Sequence, residues 1–160
     1  MSLEKLATVH KSDVLIIGHG IAGVFAALTI KEKNPDIDIL LVDKASTGWA
    51  GKANKGGCCQ FSIAPGHTAE EIVEFHVRNT GEFLNDQDAY LDFVRHTPLM
   101  LDKMEEWGVV IPKDEEGRIK FTGGVNAEEW PAPWALIGYE ADFLVKLTNL
   151  CKKKGCRFMD

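Results

Sequence analysis

Three glycines, Gly18, Gly20 and Gly23, follow the apolar run Val14 to Ile17 in a G-x-G-x-x-G spacing, and Asp43 stands 20 residues beyond the last of them. In such a turn the first glycine permits a tight bend, the second lets backbone approach an anion, and the third lets a helix pack against the strand. The anion meets unpaired N–H groups at the helix start, where the helix dipole also favours negative charge. A carboxylate at the end of the next strand accepts hydrogen bonds from both hydroxyls of a ribose. Glycine turns also serve strand-to-helix packing alone. With the acid in place, the pattern points to a dinucleotide.

The elements that position these residues are legible in part. "DVLII" reads as a buried parallel strand covered on both faces. From Gly20 a helix is expected with Ile21, Ala22, Phe25, Ala26, Leu28 and Thr29 on its periodic face, ending at Asn34-Pro35 because proline cannot continue the ladder. "DILLVD" is a second strand, and the three pieces have the size of a right-handed parallel crossover.

"KASTGWAGKANKGGCCQF" reads as a long functional loop. "TAEE" at Thr68 predicts a capping box with Glu71 and a helix to about Thr80. A longer helix is expected from Asp86 to Gly108, with Leu91, Val94, Leu101 and Met104 inward and a kink at Pro98. "VVIPKDEEGRIKF" suggests a small hairpin at Asp114 to Gly117. "EEWPAPWALIG" is expected to be irregular because of Pro131 and Pro133. From Tyr139 to Lys154 a helix with Phe143, Leu144, Leu147 and Leu150 buried returns to a third strand, "CRFMD", after Gly155.

The composition, 45% hydrophobic and 26% charged over 160 residues, suits a globular chain with a sizeable core. A net charge of −6 with scattered cations argues against nucleic acid. No apolar run has the length of a transmembrane segment, and the N-terminus lacks the apolar core of a signal peptide, so the expected compartment is cytoplasmic. Cys58, Cys59, Cys151 and Cys156 form no C-x-x-C pair and read as reduced thiols; no metal site is expected. His67, His76 and His96 lack ligand spacing and read as surface or cap residues. Trp130 and Trp134 read as packing rather than as a cover for a cofactor.

An acid at the ribose disfavours a 2′-phosphate, which leaves NAD and FAD. More than 100 residues separate the second strand from the third, headed by a glycine-rich loop, and this insertion suits the larger flavin. "VLIIGHGIAGVFAALTI", "ILLVDKAS" and "AGKANKGG" together resemble the N-terminal FAD-binding segment of the fumarate reductase and succinate dehydrogenase flavoprotein family, especially its adenylylsulfate reductase alpha-subunit branch. The resemblance covers nearly the whole chain, less specifically in "WALIGYEADFLVKLTNLCKKKGCRFMD". It implies a Rossmann-like α/β FAD-binding fold of the glutathione-reductase type, ending after its third parallel strand and carrying a helical insertion. The implied divisions are 1–57 for the strand-helix-strand unit and flavin loop, 58–137 for the insertion with its hairpin, and 138–160 for the returning helix and strand.

By the same resemblance Gly18, Gly20, Ile21 and Ala22, with Gly23 behind them, surround the pyrophosphate. Asp43 and Lys44 meet the ribose, and Gly51, Asn54, Lys55, Gly56 and Gly57 face the flavin. Ala50 aligns with the histidine that carries covalent flavin in some members, so attachment is expected to be noncovalent. Lys55 departs from the Gln or Glu common there, and reads as solvent-exposed or as a partner of the reduced ring.

The family's cap domain and catalytic arginine follow the third strand, so the chain reads as the front part of a larger flavin oxidoreductase, inactive alone, that exchanges electrons with an iron–sulfur partner. A noncatalytic nucleotide-binding or assembly piece is the alternative, and an NAD-dependent dehydrogenase the third. A 3-2-1-4-5 strand order would leave the first strand at an edge, open to self-association or to the remainder of the parent flavoprotein.

Overall fold

The computed structural model describes residues 7–56, 59–121 and 132–160, with Asn54 described in its backbone only. In chain order the elements are β1 (Val14–Ile17), α1 (Ile21–Lys33), β2 (Ile39–Val42), a 3-10 turn (Ala53–Lys55), β3 (Cys59–Ile63), α2 (Ala69–Asn79), α3 (Gln87–Glu106), β4 (Trp134–Gly138), α4 (Phe143–Lys153) and β5 (Arg157–Met159). They form two compact units, Met1–Asn54 with Leu144–Asp160, and Lys55–Phe143.

The first unit is built on a parallel sheet in the order β1-β2-β5, with Val14 opposite Ile39, Ile17 opposite Val42, and Leu40 opposite Arg157. This is the expected 3-2-1 half of a doubly wound sheet. Ile39, Leu40 and Leu41 of the central strand are buried. β1 does not follow its expectation of cover on both faces: Leu15 is 55% exposed and Ile17 84%. Both strand-to-strand connections step the same way across the sheet, so right-handed crossovers place α1 and α4 on one face. The Cys151 thiol on α4 accordingly reaches the Val24 carbonyl of α1 at 3.8 Å.

The inward face of α1 also differs from the expected one. Val24, Ala27, Leu28 and Lys31 are buried, whereas Ala22, Ala26 and Thr29 are exposed. The helix is apolar around most of its circumference, so periodicity alone left its rotation open. Lys31 lies along this face and donates from Nζ to the Pro35 carbonyl at 2.8 Å. On α4, Phe143, Leu144, Leu147 and Cys151 are buried and Leu150 is half-buried. Gly155, at φ +84°, supplies the left-handed step that ends α4.

In the second unit, β3 and β4 pair antiparallel from Cys59 opposite Gly138 to Ile63 opposite Trp134. Two expectations fail here, since β3 lies in the segment read as a loop and β4 in the one read as irregular. The inward positions of β3 are Gln60 and Ser62, so the burial pattern runs against hydrophobicity. Gln60 is tolerated inside because its side-chain amide donates to the Thr97 carbonyl at 2.8 Å.

The capping box of α2 is formed as expected: Thr68 Oγ1 accepts from Glu71 N–H at 3.2 Å, and the Glu71 carboxylate accepts from Thr68 N–H at 2.8 Å. Asp86 caps α3 by accepting from Ala89 N–H at 3.1 Å, and Pro98 lies inside that helix. Ala69, Ile72 and Val94 form a buried cluster with Phe61, Ile63, Tyr90, Leu91 and Trp134 against it. The expected hairpin reduces to a single bridge, Lys113 to Ile119, around a turn whose Asp114 accepts from Arg118 N–H at 2.8 Å. Trp130, Pro131, Gly57 and Cys58 lie outside the described residues.

Candidate functional site

The carboxyl ends of β1 and β2 open a cleft of about 480 Å³ lined by Ile17, Gly18, Val42, Asp43 and Lys44. Gly18 turns the chain there at φ +98°, a conformation that suits glycine and strains other residues. Gly20 is the N-cap of α1 and offers no side-chain cap, and no acid stands in the first turn. The opening N–H groups of the helix are therefore free of competing carboxylates and suited to an anion.

The second and third glycines are fixed by contact. A Cβ on Gly20 would lie 3.3 Å from the Gly51 Cα, so the glycine turn and the loop after β2 touch through their backbones. A Cβ on Gly23 would lie 2.0 Å from the Gly18 carbonyl oxygen. No side chain fits between α1 and the turn it leaves.

Asp43 stands at the end of β2 with its side chain 15% exposed. Its Oδ2 accepts from His19 N–H at 2.9 Å and its Oδ1 from Ala45 N–H at 3.0 Å. These two backbone bonds, that of His19 the larger, hold its carboxyl below the usual carboxylate value. Each oxygen keeps acceptor capacity toward the cleft. Lys44 is exposed at the same rim.

Gly18, Gly20, Ile21, Ala22, Gly23, Asp43, Lys44 and Gly51 thus all belong to the first unit. Lys55 and Gly56 are exposed residues of the second, while the Asn54 side chain and Gly57 are outside the described residues. Three residues of this region escaped the sequence reading: His19, Thr47 and Asp160. Asp160 accepts from Thr47 N–H at 3.1 Å and from the Thr47 hydroxyl, and its Oδ1 lies 3.2 Å from His19 Nε2. The one signal for them was a histidine inside a glycine turn.

The remaining candidates hold no chemistry of this kind. His67 is exposed beside Glu71, and His96 is exposed beside Asp92. His76 is not a surface residue: it is half-buried, receives or donates a hydrogen bond with Tyr90 Oη at 2.9 Å, and touches the rings of Phe61 and Trp134. Trp134 stacks on Phe61 at 5.4 Å. Cys59, Cys151 and Cys156 are free thiols, and burial pushes Cys151 up to about 12. Among the described residues no cluster of His, Cys, Asp or Glu is placed to hold a metal ion, and no helix is long and apolar enough to cross a membrane.

A parallel sheet with a glycine turn at a helix start and an acid at the end of the next strand defines a dinucleotide-binding unit. Residues 13–151 match the FAD binding domain family, and the chain belongs to that family. It binds FAD. The fumarate reductase flavoprotein subunit of Proteus vulgaris is 31% identical over 123 residues, 73% of this chain and 20% of that protein. The chain therefore spans about a fifth of the curated relative it matches.

Among solved structures, Escherichia coli quinol fumarate reductase superposes with a TM-score of 0.73 at 23% identity, covering 96% of this chain and 26% of the other. Adenylylsulfate reductase of Archaeoglobus fulgidus does so with a TM-score of 0.63 at 20% identity, covering 94% of this chain and 24% of the other. These likenesses bear out the FAD-binding α/β fold. The glycine contacts and the acceptor set of Asp43 fit that cofactor on their own terms.

Proposed function

We propose that the chain supplies the adenosine and pyrophosphate half of an FAD site in a flavin-dependent oxidoreductase of the fumarate reductase and adenylylsulfate reductase type. The observation that carries this is the cleft over Gly18 and Asp43, where helix N–H groups and an ionised acceptor stand together. When bound, FAD supplies the electron-accepting and electron-donating chemistry, and the protein supplies position and electrostatics.

In this reading the N–H groups at the start of α1 receive the pyrophosphate, with Gly20 keeping a side chain out of its path and Gly23 letting α1 pack against the turn. Asp43, oriented by His19 and Ala45 N–H groups, accepts from the ribose hydroxyls, and Lys44 closes the rim. Gly51, Asn54, Lys55, Gly56 and Gly57 belong to the flavin end. Ala50 is fully buried and offers only a methyl group, which supports noncovalent attachment. An iron–sulfur protein as electron partner and a cytoplasmic setting complete the proposal.

The test is calorimetric titration with FAD. Asp43→Ala is expected to weaken binding about ten- to hundredfold, the scale of hydrogen bonds to a charged group. Unchanged affinity would remove Asp43 from the site. Acid precipitation of the flavin-loaded protein should leave the flavin in the supernatant, and flavin retained on the pellet would refute noncovalent attachment.

A further inference from the structure

His19 occupies the first variable position of the glycine turn, and its side chain is fully buried. The ring stands edge-on to Phe158 of β5, with centroids 5.5 Å apart at 62°. Its Nε2 is 3.2 Å from Asp160 Oδ1, and its Nδ1 is 4.0 Å from Asp43 Oδ2. Neither nitrogen is aligned on a hydrogen-bond partner. Lys152 of α4 lies against Phe158, its Nζ 5.5 Å from that ring.

The two carboxylates are anchored elsewhere: Asp43 by backbone N–H groups, and Asp160 chiefly by Thr47, with His19 helping to hold its carboxyl below the usual value. The imidazole thus lies between two fixed acids at the ends of β2 and β5. A neutral imidazole has one N–H and one lone pair, so one acid would face a lone pair; the cation offers an N–H to each. Burying a cation requires such pairing.

We propose that His19 is a positioning residue, its imidazolium shared between Asp43 and Asp160 so that the glycine turn and both strand ends are clipped in the geometry that presents Asp43 to a ribose. Loss of either contact leaves Asp43 less firmly held. The proposal rests on the reading that Asp43 faces the adenosine ribose.

The probe is ADP-ribose, whose pyrophosphate is esterified at both ends and keeps one charge on each phosphate, titrated calorimetrically against wild type, His19→Phe, Asp160→Asn and the double variant. His19→Phe keeps a ring against Phe158, and Asp160→Asn alters a half-exposed side chain and so remains informative if the first variant fails to fold. Each single variant is expected to bind about five- to tenfold more weakly than wild type, the scale of a lost charge-assisted contact. The double variant should bind no more weakly than either single one.

Variants that keep wild-type affinity while only melting earlier, or whose losses add in the double variant, overturn the clip. Failure of wild type to bind ADP-ribose or FAD overturns instead the assignment of the cleft to the adenosine half.

Discussion

Two histidines, one in each unit, occupy opposite surroundings. His19 lies between the carboxylates of Asp43 and Asp160 at the ends of the parallel strands. His76 lies among Phe61, Tyr90 and Trp134, where burial lowers its pKa below the ordinary 6.5. The first surroundings are ionic and the second apolar, which favours a neutral ring at His76. The same division runs through each unit: the first is shaped by backbone against backbone at Gly20, Gly51, Gly18 and Gly23, the second by interlocked side chains. Contacts between backbones cannot yield to a substitution, whereas side chains can rotate away.

The largest effect that would break or sharpen this contrast is expected at Gly23. Gly23→Ala places a methyl against the Gly18 carbonyl and is expected to cost about 3 kcal/mol, the upper range for overpacking, read by urea unfolding. In the second unit, the atoms nearest to a Cβ on Gly81 belong to the Asn85 side chain. Gly81→Ala should therefore change stability by no more than about 1 kcal/mol, the cost of moving one rotamer. Equal losses at the two sites would erase the distinction.

An intermediate effect is expected from pH. The folded chain binds a proton at His76 less readily than the unfolded chain, so this stability is complete above 6.5 and is lost as pH falls below it. Asp43 and Asp160 have depressed values, so their stabilisation persists at neutral pH and is lost only as pH falls below 3.8. Melting curves between about pH 7.5 and about pH 5 should therefore fall for wild type more than for His76→Phe. Parallel curves would place the pH sensitivity elsewhere.

Thr68→Ala removes the side-chain half of the capping box on α2 and should cost about 1 kcal/mol by denaturant unfolding, with FAD affinity unchanged. Altered affinity would mean that the two units are coupled. The smallest effect is expected at Glu82, a non-glycine residue at φ +46°. Glu82→Gly should stabilise by about 0.5 kcal/mol, the left-handed strain relieved minus the added freedom of the unfolded chain. A loss of stability would show that Glu82 makes a contact worth more than that strain.

The dinucleotide unit was legible because its information is local. Continuous apolar runs marked β1 and β2, Asn34-Pro35 marked the end of α1, and the three spaced glycines marked the turn. The Thr68 box was equally local, spanning the four residues from Thr68 to Glu71. β3 and β4 were not legible, because the polar Gln60 and Ser62 face inward, Gln60 donating to the Thr97 carbonyl, a partner distant in the chain. The rotation of α1 was hidden by its nearly uniform apolarity, which many packings would satisfy.

The amino-acid sequence by itself determined where an anion and a ribose could be received, since backbone conformation and helix polarity are set by neighbouring residues. Only the tertiary structure decided that His19 meets Asp160. No rule of spacing joins residues 141 positions apart, and the contact exists because β5 enters the sheet beside β2 and delivers Asp160, the residue that follows it, to the buried ring of the glycine turn.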